Sequence, residues 1–164
     1  MSNLEELYSR IALGQNMDEI TQQILSIYDN PQSIFEVLRI ISEQDNQLIR
    51  NQAAVQLRLA LGKNWSKICQ DPVVEQIKAA ILEVLKKEPS ILLRESIIHS
   101  MSLIIESKIQ WPELSQYTQD LLQSSEPIQI ETALKILFVW IPSFPKEEFL
   151  LMAPFIGQNI ISAL

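Results

Sequence analysis

The side chains that most often carry out chemistry are scarce in this sequence, and their spacing matches no catalytic motif. The single histidine, His99, follows Glu95 by four residues, so the two would share one face of a helix. A zinc-protease motif needs a second histidine beside such a pair. The single cysteine, Cys69, excludes an internal disulfide and a cysteine-based zinc site, and its place after Trp65 favours a buried thiol over a reactive one. We therefore expect no metal site.

Motifs for nucleotide binding and for nucleophilic catalysis are also missing. The three glycines, Gly14, Gly62 and Gly157, are too far apart to form a phosphate-binding loop. No Gly-x-Ser-x-Gly elbow occurs to present a nucleophilic serine. The paired acids at 5–6 and 147–148 are typical of the first turn of a helix, where the helix dipole favours carboxylates. We expect neither an enzyme nor a cofactor.

The composition indicates an acidic globular domain. The 164 residues include 20 acidic and 13 basic side chains, which gives a net charge of −7. Nucleic-acid binding depends on Lys and Arg that neutralise phosphates, so a basic protein is the more natural partner. The longest apolar run, 149–156, is too short to insert across a membrane, and the acidic N-terminus does not resemble a secretion signal. We expect a single soluble, intracellular domain over 1–164, with a core formed from the 47% of residues that are hydrophobic.

The elements that position these residues are predicted to be helices alone. Apolar residues recur at steps of three and four, as in Ile34, Val37, Leu38 and Ile41, and no Asn-Gly or Asp-Gly hairpin turn separates them. Proline and capping residues mark the breaks. The predicted helices are 3–13, 17–29, 32–44, 47–62, 73–87, 91–107, 113–124, 127–141 and 146–162.

These helices fall into pairs at 3–29, 32–62, 73–107 and 113–141, followed by the helix at 146–162. The second helix of each later pair carries a comparable apolar stripe, and the stripes recur about every 40 residues, which is the period of HEAT repeats. The three stripes are Ala53, Leu57, Leu61; Ile97, Met101, Ile105; and Ala133, Leu137, Ile141. A lone helix pair cannot bury both of its apolar faces, so the pairs are expected to stack. The predicted fold is all-α, a right-handed α-solenoid of about four HEAT repeats built from antiparallel helix pairs.

The turns within the pairs have a matching register. Asp45 precedes Arg50 by five residues, and Pro89 precedes Arg94 by five. In a HEAT repeat, such a basic residue early in the second helix can pair with a neighbouring repeat. The third pair departs from this pattern, since Thr132 stands at the corresponding place.

Three segments resemble the N-terminal region of the importin-β (karyopherin-β) family. Residues 13–25, followed by Pro31, are similar to the opening helices of that family. Residues 49–58, leading to Trp65, resemble its Arg-x-x-Ala-Ala-x-x-Leu-Lys-Asn segment with a downstream tryptophan, although Arg58-Leu59 stands where many members have Lys-Asn. Residues 111–114, Trp-Pro-Glu-Leu, resemble the start of a repeat in many members. Because members of the family have about twenty repeats, we expect this chain to be a fragment of a longer solenoid.

The resemblance implies a nuclear transport receptor. Such receptors bind the small GTPase Ran in its GTP form through inner helices, carry cargo proteins, and engage phenylalanine-glycine repeats of nucleoporins, moving between cytoplasm and nucleus through the nuclear pore. The residues off the apolar stripes would line the inner face, and the predicted partner-binding residues are Asn51, Arg58, Glu95, His99 and Ser102. The alternative is a HEAT-repeat scaffold subunit with no Ran dependence.

Overall fold

The computed structural model describes residues 2–143 and 146–162. Within these ranges the secondary structure is helical and contains no strand. The helices are α1 (Asn3–Ala12), α2 (Met17–Ile27), α3 (Ser33–Glu43), α4 (Gln47–Ile68), α5 (Val73–Lys87), α6 (Ile91–Glu106), α7 (Pro112–Leu122), α8 (Pro127–Trp140) and α9 (Lys146–Ser162), with a 3₁₀ turn at Ile141–Ser143. Helices that are adjacent in the chain pack as pairs, including α1 with α2, α3 with α4 and α7 with α8. The predicted all-α fold of paired, HEAT-like helices is confirmed.

The chain divides into two compact units, Met1–Ser100 and Met101–Leu164. In the first unit α3 packs against both α4 and α5, and α1 packs against α2, α3 and α4. Its core contains the apolar stripes that the periodicity predicts, since Ile34, Val37 and Ile41 of α3 and Ala53, Leu57 and Leu61 of α4 are all buried. The single importin-β-like domain expected over 1–164 stays a prediction.

Polar contacts hold α1 at the start of the first unit. Ser2 and Glu5 form a reciprocal capping box at the N-terminus of α1. Glu5 also accepts a hydrogen bond from Arg39 of α3 at 2.9 Å, and Arg39 bonds Glu36 in its own helix at 3.1 Å. The hydrogen bond from Arg39, assisted by one from Ser2, holds the pKa of the Glu36 carboxyl below its usual range.

A buried tyrosine pair joins α1 to the end of α2. The hydroxyls of Tyr8 and Tyr28 are hydrogen-bonded to each other, and both side chains are fully buried. Burial raises the pKa of both phenols, and repulsion from an ionised Tyr28 would raise the pKa of Tyr8 further. Both tyrosines are therefore neutral at physiological pH and act as paired hydrogen-bonding groups in the core.

Helix α4 is longer than the sequence predicts, since it ends at Ile68 rather than at 62. Gly62 weakens a helix but is tolerated here because the residues after it contact the α2–α3 turn. The buried Asn64 donates to the backbone oxygen of Tyr28 at 2.7 Å, and Lys67 donates to that of Asp29 at 3.0 Å. These tertiary contacts extend α4 beyond the point where the local pattern indicates an end.

We expect Asn64→Ala to lower the free energy of unfolding by about 1–3 kcal/mol, because it removes two donors from buried backbone oxygens of Tyr28 and Ala60. Urea denaturation of the full chain measures the change. Ser66→Ala, at an exposed position of the same helix, is the matched control and should change the value by no more than about 0.5 kcal/mol. Equal effects of the two substitutions would contradict the assigned role of Asn64.

In the second unit, α7 packs against α8 and α9. Pro112 and Pro127 begin α7 and α8, where a missing backbone N–H costs nothing. Trp111, just before α7, and Trp140, at the end of α8, are both buried. The hydroxyl of Thr132 donates to the backbone oxygen of Ile128, four residues earlier in α8, at 2.7 Å.

Candidate protein-interaction surface

Arg50 connects α4 to its own pair partner, α3, and to the turn that begins the second helix of the next pair. Its Nε donates to the backbone oxygen of Ile41 at the end of α3, at 2.8 Å. Its Nη2 donates to the carboxylate of Glu88, in the turn before α6, and the Glu88 side chain is only 1% exposed. Arg94 in turn donates to the backbone oxygen of Glu88. The sequence predicts that Arg50 pairs with a neighbouring repeat. In the structure the acceptor is Glu88, the residue immediately before Pro89.

The exposed side of α4 includes a row of apolar side chains. Leu48, Val55 and Leu59 are 60%, 63% and 42% exposed, although Ala53 and Leu57 of the same helix are buried in the core. The separations of seven and four residues place the three side chains in one row along the helix. Asn51 and Arg58 lie on the same side. We call these five residues, Leu48, Asn51, Val55, Arg58 and Leu59, the α4 face.

The outer sides of α3 and α5 differ in kind from the α4 face. Arg39 on α3 forms ion pairs with Glu36 and Glu43, and Glu83 on α5 forms exposed ion pairs with Lys86 and Lys87. Such charged helix surfaces are typical of contact with water. An exposed apolar row bordered by polar residues is instead typical of a surface that contacts another protein.

The charge of α4 is also unusual for an acidic protein. The helix contains four cationic residues, Arg50, Arg58, Lys63 and Lys67, and no Asp or Glu. Arg50 is paired with Glu88, Lys63 forms an ion pair with Asp29 at 3.2 Å, and Lys67 donates to a backbone oxygen. Among residues 2–143 and 146–162, Arg58 has no ion-pair partner, and its side chain is exposed.

The five residues that the sequence predicts for partner binding have different environments. Arg58, Glu95 and His99 are exposed. Asn51 is partly buried and accepts a hydrogen bond from Gln47 at 2.9 Å. Ser102 is buried and lies in the second unit, and its hydroxyl has no hydrogen-bond partner within the described part of the chain. Asn51 and Arg58 are brought together on the α4 face, whereas the role of all five in binding a partner stays a prediction.

Sequence reasoning did not single out Leu48, Val55 and Leu59. One signal was available in the sequence. Apolar residues occupy both sides of α4, whereas a single buried stripe needs them on one side only. Periodicity alone does not tell which of the two sides is buried. The apolar residues of the α4 face are therefore identified by the structure and not by the sequence.

No group of three His, Cys, Asp or Glu side chains that could hold a metal ion occurs in the part of the chain that the structure describes. The Cys69 thiol is partly buried at the end of α4. No helix in the described ranges is long and apolar enough to cross a bilayer.

Pairs of adjacent helices place this chain in the class of helical-repeat proteins. Residues 20–87 match the family model described as the importin-beta N-terminal domain. The resemblance expected from the sequence is thereby confirmed over this segment, which extends from Ile20 in α2 to the end of α5. That family is one of transport receptors rather than enzymes. Comparison with curated proteins and with solved structures gives no match.

Proposed function

We propose that this chain is part of an importin-β-like nuclear transport receptor, and that its first unit binds the small GTPase Ran in the GTP form. The observation that carries the proposal is the match over 20–87, because the importin-β N-terminal domain is the Ran-GTP-binding region of its family. The matched segment includes all of α4, whose exposed face offers apolar contacts and the cation Arg58.

The rest of the proposed function follows from membership of a receptor family. Family members shuttle between nucleus and cytoplasm, and this chain is proposed to do the same while carrying protein cargo through the nuclear pore in contact with phenylalanine-glycine repeats of nucleoporins. The net charge of −7 favours a basic cargo surface. Ran and cargo would influence each other's binding to the degree that each prefers a different arrangement of the helices.

The experiment is calorimetric titration of the purified chain with Ran loaded with a non-hydrolysable GTP analogue and, in parallel, with GDP, at two salt concentrations. We expect binding of the GTP form only, with an affinity that falls as salt rises because charged contacts are screened. Binding of neither form, or equal binding of both, would favour the alternative, a HEAT-repeat scaffold without Ran dependence.

A pair of matched variants tests the predicted residues. Arg58→Glu combined with Glu95→Lys reverses two exposed charges on α4 and α6 and leaves the net charge unchanged. We expect this variant to bind Ran about tenfold or more weakly, with unchanged helicity by circular dichroism. Glu83→Lys combined with Lys87→Glu makes the same exchange on the outer side of α5, where the two are 3.4 Å apart, and should bind as the unchanged chain does. Equal affinities of the two variants would place Arg58 and Glu95 outside the interface.

A further inference from the structure

We propose that the α4 face binds an apolar segment of a partner protein that carries a carboxylate beside its apolar side chains. This inference deepens the proposed function and rests on it for the identity of the partner. The observations are the exposure of three apolar side chains and one cation beside them, Arg58, that has no ion-pair partner among the described residues.

The apolar row indicates how long the partner segment is and that one side of it is apolar. Leu48 and Leu59 are separated by eleven residues of helix, which corresponds to roughly 16 Å at the rise of an α-helix. A partner helix of about three turns covers that length, with apolar residues on one side. Since Leu48, Val55 and Leu59 are each more than two-fifths exposed, such a segment would remove substantial apolar surface from water.

Arg58 determines the charge of the segment. It follows Val55 by three residues, so it borders the apolar row on the helix surface, and it has no ion-pair partner among the described residues, unlike Arg50 and Lys63. A carboxylate placed against Arg58 would form a charge-assisted hydrogen bond at the border of the apolar row. A basic segment would instead place like charges together.

Two other occupants fit the α4 face less well. A second copy of this chain, joined through the same face, would bring two α4 helices together, and α4 contains no carboxylate to pair with Arg58. A nucleic acid needs several cations on one surface, whereas only Arg58 is available on this face and the chain has a net charge of −7.

The experiment uses the full chain, with its Leu, Val and Ile methyl groups labelled for NMR, and two synthetic helical peptides of equal length. Both peptides have leucines on one side; one carries glutamates beside the leucines, and the other carries lysines at the same positions. We expect the acidic peptide to shift the methyl signals of Leu48, Val55 and Leu59. The lysine peptide should bind at least about tenfold more weakly, as for the loss of one charge-assisted hydrogen bond.

Variants of the chain assign the two parts of the interaction. Arg58→Glu should weaken binding of the acidic peptide about tenfold or more, and Val55→Ser should weaken binding of both peptides. Lys87→Glu, a cation reversal on the exposed surface of α5, should change neither affinity. Circular dichroism of each variant checks that the helices remain intact.

Equal binding of the two peptides, binding of neither, or methyl shifts that avoid α4 would each overturn the inference. The results also distinguish a failure of this inference from a failure of the proposed Ran binding. If the acidic peptide binds the α4 face but Ran binds in neither nucleotide state, the Ran proposal fails and the α4 face keeps its assigned partner chemistry. If Ran-GTP binds and both peptides fail, the inference fails and the proposed function stands.

Discussion

Replacing Glu88 with alanine is expected to lower the free energy of unfolding by about 3–5 kcal/mol, the range observed when one partner of a buried ion pair is removed. The Glu88 carboxylate is buried, accepts from Arg50, and also accepts from the backbone N–H of Ser90 at 2.8 Å. Without it, the guanidinium of Arg50, only 17% exposed, has lost its counter-charge. Urea denaturation monitored by circular dichroism measures the loss.

Two further variants isolate the contribution of the pair. Glu83→Ala removes an acid from exposed ion pairs on α5 and should cost less than about 1 kcal/mol. Arg50→Ala combined with Glu88→Ala should cost less than the sum of the single substitutions, since the second removes a charge that the first has left unpaired. If Glu88→Ala is no more costly than Glu83→Ala, the contact between Arg50 and Glu88 does not stabilise the fold.

The protein is also expected to lose stability steeply in alkali because of Tyr8 and Tyr28. The pKa of both phenols is raised in the folded state above the ordinary value of about 10. Their contribution to stability is therefore fully present below pH 10, and it is lost as the pH rises above 10, because the unfolded chain releases protons that the folded chain retains. Each tyrosine should lower the free energy of unfolding by about 1.4 kcal/mol per pH unit above pH 10.

The matched variant carries Tyr8→Phe and Tyr28→Phe together. It retains the rings but removes both ionisable hydroxyls, so the difference in alkaline slope between it and the unchanged chain isolates the two phenols from lysines that titrate nearby. Urea denaturation at pH values from 9 to about 11 gives both slopes. Identical slopes would show that these tyrosines ionise as readily in the folded protein as in the unfolded chain.

The helices and their pairing were predictable because they depend on local patterns. Apolar spacing and proline positions are sufficient to predict α3 and α5 to within a few residues. The end of α4 was not predictable, since it depends on contacts of Asn64 and Lys67 with a turn more than thirty residues earlier in the chain. Glu88 was missed as the acceptor for Arg50 for the same reason, although the register of Arg50 itself indicated a contact between repeats.

The candidate surface was predictable in its polar part only. Asn51 and Arg58 stand off the buried stripe of α4, and an amphipathic pattern shows such residues directly. Leu48, Val55 and Leu59 belong to a second apolar side, and their exposure depends on where α1 and α3 pack against α4. Ser102 differs in the opposite direction. It stands off the apolar stripe of α6 and was therefore expected on the exposed side, but its side chain is buried.

The contacts of the first unit bear on where a shorter version of this protein could be cut. The matched family segment ends at Lys87, one residue before Glu88, and begins at Ile20, after Glu5 and Tyr8. A fragment trimmed to 20–87 would remove Glu88 from Arg50, Glu5 from Arg39 and Tyr8 from Tyr28. The segment that matches the family model is thus shorter than the segment that contains both partners of each of these polar contacts. A minimal fragment needs α1 at one end and the turn through Arg94 at the other.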